Sequence, residues 1–110
     1  MQMEEWQTGD WLVVTLLEAR LDAAVASAFR ESILARIDQA SAQVVLDLHH
    51  VSFLDSSGLG ALVFALKHVA QHGGRLHFCG VTPAVMAVLR LTRMDRVLKT
   101  FDSREAAIAA

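Results

Sequence analysis

The stretch Val44-Val45-Leu46-Asp47-Leu48-His49-His50-Val51-Ser52-Phe53-Leu54-Asp55-Ser56-Ser57-Gly58-Leu59-Gly60-Ala61-Leu62 decides how the rest of the chain is read. It starts apolar and β-branched, the pattern of a strand buried on both faces. It ends with the periodicity of an amphipathic helix. Between them Asp55-Ser56-Ser57-Gly58 is small and polar. Asp and Ser are the residues that accept hydrogen bonds from the free N–H groups of a first helical turn. The stretch therefore predicts a sheet strand followed by a helix whose N-terminus carries a serine hydroxyl, just past the carboxyl end of the strand. Ligand and regulatory chemistry gathers at that place in open α/β sheets.

The helix is expected to run roughly from Ser57 to Gln71. At about 100° per residue, Leu59, Leu62, Val63, Leu66, Val69 and Ala70 fall on one side, expected to pack on the sheet. Ser57, Gly60, Ala61, Phe64 and His68 fall opposite. Phe64 there admits two readings. It is covered by another part of the domain or simply exposed, as single apolar residues commonly are. Or it forms a docking stripe with Ser57, Gly60 and His68, where small residues let a partner's backbone come close.

Working outward, the N-terminal part reads as a hairpin and a helix. Residues 1–8 form a short edge strand, Gly9-Asp10 a two-residue turn, and Trp11 to Leu17 a dense β-forming run. Asp22 is suited to cap a helix running to about Gln39, with Val25, Phe29, Ile33 and Ile37 on its inner face. Gln43 to Leu48 is the next strand. After the central helix, Gly73-Gly74 supplies a left-handed stop. Arg75 to Cys79 makes another strand. Thr82-Pro83 starts a helix with Val85, Met86, Val88 and Leu89 as apolar positions. Val97 to Phe101 reads as a last short strand. Asp102 with Glu105 reads as a capping box opening a helix to Ala110. Two helix-length crossovers imply parallel pairing. The expected class is α/β: a mixed sheet, mostly parallel, with an antiparallel N-terminal edge hairpin and about four flanking helices.

At 110 residues the chain is expected to be a single domain, residues 1–110, able to bury a core without staples. Its 54% hydrophobic and 20% charged content excludes disorder and fits a helix-covered sheet. A net charge of −2 gives no electrostatic case for nucleic acid. Arg90, Arg93, Arg96, Lys99 and Arg104, interrupted by Asp95 and Asp102, read as a solvated face. Cys79 is the single cysteine, so no internal disulfide can form, and a buried, inert thiol in a reducing compartment is expected. Met1-Gln2-Met3-Glu4-Glu5 lacks a signal-peptide pattern. The longest apolar run, Gly58 to Leu66, is too short to span a bilayer, so no direct membrane insertion is expected and the protein is read as cytoplasmic.

The chain holds residue types for two catalytic or ligating chemistries. Ser57, His49 or His50, and Asp47 or Asp55 are the residue types of a hydrolase triad, but no G-x-S-x-G elbow surrounds Ser57. His68 and His72 stand one helical turn apart. Yet neither a HExxH pattern nor a cysteine pair joins them to His49, His50 or His77, so solvated histidines are the simpler reading. No catalytic residue, metal site or cofactor is expected.

At Asp47-Leu48, Val51-Ser52-Phe53 and Asp55-Ser56-Ser57-Gly58-Leu59-Gly60 the sequence resembles the anti-sigma-factor antagonist family, the bacterial STAS domains. Arg20-Leu21-Asp22-Ala23, Gly74-Arg75-Leu76, Cys79-Gly80-Val81-Thr82-Pro83, Leu91-Thr92-Arg93-Met94-Asp95 and Phe101-Asp102-Ser103-Arg104-Glu105-Ala106 extend the resemblance over nearly the whole chain. It implies a non-enzymatic, phosphorylation-controlled switch. In such proteins the serine before the glycine, here Ser57, is phosphorylated by a partner anti-sigma factor that is a GHKL-type serine kinase. The unphosphorylated form binds that partner and frees a sigma factor, and a metal-dependent serine phosphatase resets the switch. Asp55, Ser56, Ser57, Gly58, Gly60, Ala61, Phe64 and His68 are the expected partner-binding residues. For Ser56, helix capping or loop packing is the alternative role, and for Asp55, shaping the turn. Similar domains also serve as subunits of lipid-transport ABC systems or signalling scaffolds without phosphorylation, which is the competing reading. Two positions depart from the family pattern: Arg93 and Ala19 stand where glycine is usual. Arginine in a left-handed conformation costs roughly 1 kcal/mol, so a different turn is expected at Arg93.

Overall fold

In the computed structural model, which describes residues 1–39 and 43–110, the apolar runs become a five-stranded sheet. Its strands are β1 (Met3–Thr8), β2 (Trp11–Leu16), β4 (Gln43–Asp47), β6 (Arg75–Cys79) and β7 (Lys99–Phe101), in the order β1-β2-β4-β6-β7. β1 and β2 pair antiparallel across a turn at Gly9, whose φ of 57° only glycine adopts without cost. The other three ladders are parallel. This is the expected mixed sheet with its antiparallel edge hairpin. A second ladder of two residues each, β3 (Arg20–Leu21) on β5 (Phe53–Leu54), was not foreseen. Such a ladder is too short to leave a periodic signature.

Among the described residues four α-helices cover the sheet: α1 (Ala26–Gln39), α2 (Ser56–Gln71), α3 (Pro83–Leu91) and α4 (Arg104–Ala109). Strand side chains alternate between faces. Leu12, Val14, Leu16, Val44, Leu46, Leu76 and Phe78 point to one side and form the main core with Phe29 and Ile33 of α1, Leu62 and Val69 of α2, and Val85 and Leu89 of α3. Trp11, Val13, Val45 and Cys79 point to the other, where α4 supplies Ala107. Cys79 is buried there, and desolvation pushes its thiol up to about 12, which makes it a poor nucleophile.

Several boundaries differ from the sequence reading. The first long helix starts at Ala26, three residues later than an N-cap at Asp22 implies. Asp22 closes a separate turn: its carbonyl accepts from Val25 and Ala26 N–H, and its carboxylate from Ala24 N–H. The terminal helix is capped by Ser103, whose hydroxyl accepts from Ala106 N–H, in place of the expected Asp102–Glu105 box. Thr82 caps α3 and also donates to Val51 O at 2.7 Å, which ties that helix to the loop after β4. Arg93 takes the left-handed conformation at φ 61° and bears its strain, so the arginine does not turn the chain away from that conformation. Val97 is exposed and lies outside the last strand, which begins at Lys99.

Candidate functional site

The geometry around Ser57 is built by Asp55. Asp55 is the N-cap of α2, in extended conformation, and one carboxylate oxygen accepts from Gly58 N–H at 2.9 Å. The other accepts from Ala23 N–H at 3.2 Å, in the loop before α1. Its own N–H donates to Leu21 O at 3.4 Å. One side chain therefore starts the helix and binds it to the loop after β3. This is the turn-shaping role, with both oxygens engaged inside the protein. The serines follow the two-residue ladder's β5, with the end of β4 and a turn closed by Val51 N–H on Leu48 O lying upstream.

Ser56 is exposed and Ser57 half-buried, at the first and second positions of a 16-residue helix. Asp55 satisfies the amide of Gly58, and among the described residues no protein acceptor meets the amides of Ser56 and Ser57. Both N–H groups thus stay available at the positive end of the helix dipole.

Gly58 is not a surface residue. A β-carbon built there would collide with the Leu21 carbonyl and come within 2.8 Å of Leu54 Cδ1. The missing side chain lets α2 sit against the β3 backbone rather than against a partner. Ala61 is also fully buried, with Ala65, and so leaves the expected stripe. The buried arc of α2 is Gly58, Ala61, Leu62, Ala65 and Val69. It lies roughly a quarter turn from the arc drawn through the large apolar residues, because small residues, among them Gly58 against β3, occupy the buried side. Leu59, Val63 and Leu66 are only partly buried.

Ser57, Gly60, Phe64 and His68 remain along one flank of α2, each partly exposed. Phe64 and His68 stack, with ring centroids 6.0 Å apart, and His68 contacts His72 at 4.4 Å. Arg30 of α1 lies over the other side of this flank, 5.5 Å from the Phe64 ring centroid. Phe64 is thus neither core nor bare; an arginine from α1 shares its surface. Sequence reading missed Arg30, since only the packing of α1 on α2 brings it there. On the neighbouring two-residue ladder Arg20 lies 4.0 Å over exposed Phe53 and pairs with Asp22 at 3.1 Å.

Of the hydrolase residue types, Asp47 and His49 meet each other, but on the side of the sheet away from the helix that carries Ser57. Asp47 has the parity of Val45 and faces the α4 side of the sheet, whereas α2 packs on the opposite side. It is bound by Arg104 Nε at 2.7 Å and by His49 Nδ1 at 2.8 Å. Burial alone would raise the Asp47 carboxyl, but the hydrogen bonds from His49 and Arg104 outweigh it and hold the group below the usual carboxylate value. Arg104 also donates to Thr15 Oγ1 at 2.7 Å and lies 4.5 Å from the Trp6 ring. The cluster fastens α4 to the sheet. His77 is buried with its Nδ1 2.8 Å from Ala107 O. Among the described residues no group of three or more His, Cys, Asp or Glu side chains could hold a metal ion, and no helix is long and apolar enough to cross a membrane.

Comparison with known proteins agrees with this architecture. BtrV of Bordetella bronchiseptica, provisionally described as an anti-sigma factor antagonist, is 29% identical over 101 residues, 92% of this chain and 87% of that protein. The anti-sigma F factor antagonist of Paenibacillus polymyxa is 32% identical over 65 residues, which span 59% of this chain and 56% of that one. Solved structures of SpoIIAA superpose in the unphosphorylated form with a TM-score of 0.78, over 97% of this chain and 93% of that one. The phosphorylated form of the Bacillus protein gives 0.71, over 98% and 97%. At 22% identity these two show likeness of fold. The sequence profile of the STAS domain matches residues 5–107. The chain belongs to the STAS domain family.

Proposed function

We propose that the protein is an anti-sigma factor antagonist, a cytoplasmic, single-domain, non-enzymatic binding switch controlled by phosphorylation of Ser57. In this reading the unphosphorylated form binds an anti-sigma factor that is also a GHKL-type serine kinase, and so releases a sigma factor. The γ-phosphoryl group of ATP passes to Ser57 Oγ, a base on the kinase takes the hydroxyl proton, and ADP leaves. A metal-dependent phosphatase later hydrolyses the phosphoester.

The observation that carries the reading is a half-buried serine beside two unused amides on a helix end that Asp55 and Gly58 hold in place. A phosphoserine adds about −1.5 to −2 charge at pH 7. The free amides and the dipole accommodate that charge, so the fold survives modification. The partner does not share this tolerance, because it meets a bulky dianion where it had met a small hydroxyl. The names of BtrV and the Paenibacillus protein support the same role. The docking surface in this proposal is Ser56, Ser57, Gly60, Phe64 and His68, with Gly58 and Asp55 acting from beneath. The test is binding to the anti-sigma factor encoded nearest the gene. Ser57→Ala should bind as tightly as the unmodified protein even with ATP present, whereas Ser57→Asp should bind more weakly. Equal binding by both variants would refute the switch.

A further inference from the structure

The guanidinium of Arg30 lies beside Phe64 and Gly60. Its carbon stands 5.5 Å from the Phe64 ring centroid, and a β-carbon built on Gly60 would lie 3.5 Å from its Nη2. Gly60 is one helical turn from Ser57, and Phe64 is one turn further on. Side chains so spaced lie roughly 5–6 Å apart. A phosphate on Ser57 would therefore come within reach of the same guanidinium.

Two other arginines in this part of the chain have acidic partners: Arg20 has Asp22 and Arg36 has Glu5. Among the described residues no carboxylate pairs with Arg30. What holds it is the face of an aromatic ring, a weaker attraction at an exposed site than a charge-assisted bond to phosphate.

Taking Ser57 as the modified residue, we propose that Arg30 reads its phosphorylation. Before modification the guanidinium rests on Phe64, and together they offer a cationic, aromatic surface to an acidic segment of the partner. After modification the guanidinium turns to the phosphate. Phe64 is bared, the positive charge is spent inside the protein, and the surface that met the acidic segment no longer exists. Release of the partner then has two causes: the dianion itself, and the withdrawal of Arg30.

The test installs phosphoserine at position 57 during translation, so no kinase is needed, and follows the phosphate by phosphorus NMR against pH. An adjacent cation favours the dianion. The second ionisation of the phosphate should lie about 0.5 lower in the native background than in Arg30→Gln, with Arg30→Lys between them. The Arg30 Nε–H resonance should move when Ser57 is phosphorylated. Coincident titrations in native and Arg30→Gln proteins, with a stationary Nε–H, would overturn the proposal. Since the phosphate is placed without a kinase, that failure would leave Ser57 labelling by the partner intact, and failed labelling would leave this result intact.

Discussion

Replacing Gly58 by alanine should destabilise the protein, against the usual preference of helices. In a helix interior Gly→Ala gains up to about 1 kcal/mol. Here the new methyl would meet the Leu21 carbonyl oxygen, a backbone atom in the β3–β5 ladder, and would sit 2.8 Å from Leu54 Cδ1. Leucine can turn aside; the carbonyl can move only by shifting β3 or lifting α2. Overpacking of this kind costs typically about 1–3 kcal/mol, and an immovable neighbour argues for the upper end. The net loss should be about 2 kcal/mol, a fall in Tm on the order of 8 °C for a chain of this size. Gly60→Ala is the internal control. Its β-carbon meets only Arg30 Nη2 at 3.5 Å, an ordinary contact with a flexible tip, so it should stabilise by about 0.5–1 kcal/mol. Urea unfolding of the two variants beside the native protein measures both signs. A Gly58→Ala protein as stable as the native one would show that α2 does not need this close approach to β3.

Asp55→Ala removes an N-cap and the bond to Ala23 N–H, so it should cost about 2 kcal/mol in urea unfolding. Hydrogen exchange at Ala23 and Gly58 should rise with it; a loss confined to α2 would show that the cross-loop bond carries nothing. Asp47→Ala breaks a buried pair whose Arg104 can still reach solvent, and should cost about 2–3 kcal/mol at neutral pH. The Asp47 carboxyl titrates lower in the folded protein than its unfolded value of 3.8, so its stabilisation is present above that pH and is lost as pH falls further. The gap between native and Asp47→Ala stabilities should therefore close below about pH 3.8; a gap closing near neutral pH would point to a different group.

Much of the fold could be read along the chain because the signals were local. The β-branched run at Val44–Val45, the glycine turn at Gly9 and the Thr82-Pro83 start each act through neighbouring residues. The helix face was harder. Ala61 and Ala65 weigh little in a hydrophobic pattern, yet both are fully buried, so the large side chains of α2 pointed to the wrong arc. Gly58 carried an ambiguous signal for the same reason: a missing side chain marks a close approach without saying to what. The terminal cap failed because Asp102 and Ser103 are both good caps, and only the path of the chain chose between them. The hydroxyl of Ser57 at the start of α2 was legible. Arg30 was not, since nothing near it in sequence links it to a helix that starts 26 residues later.

Incubation with the anti-sigma factor kinase and ATP, followed by mapping of the phosphopeptide by mass spectrometry, tests the central claim most directly. A single phosphate should be found on Ser57, absent from Ser57→Ala, retained in Ser56→Ala, and accompanied by loss of the complex. Phosphate on Ser56, or a modified protein that still holds its partner, would contradict the account.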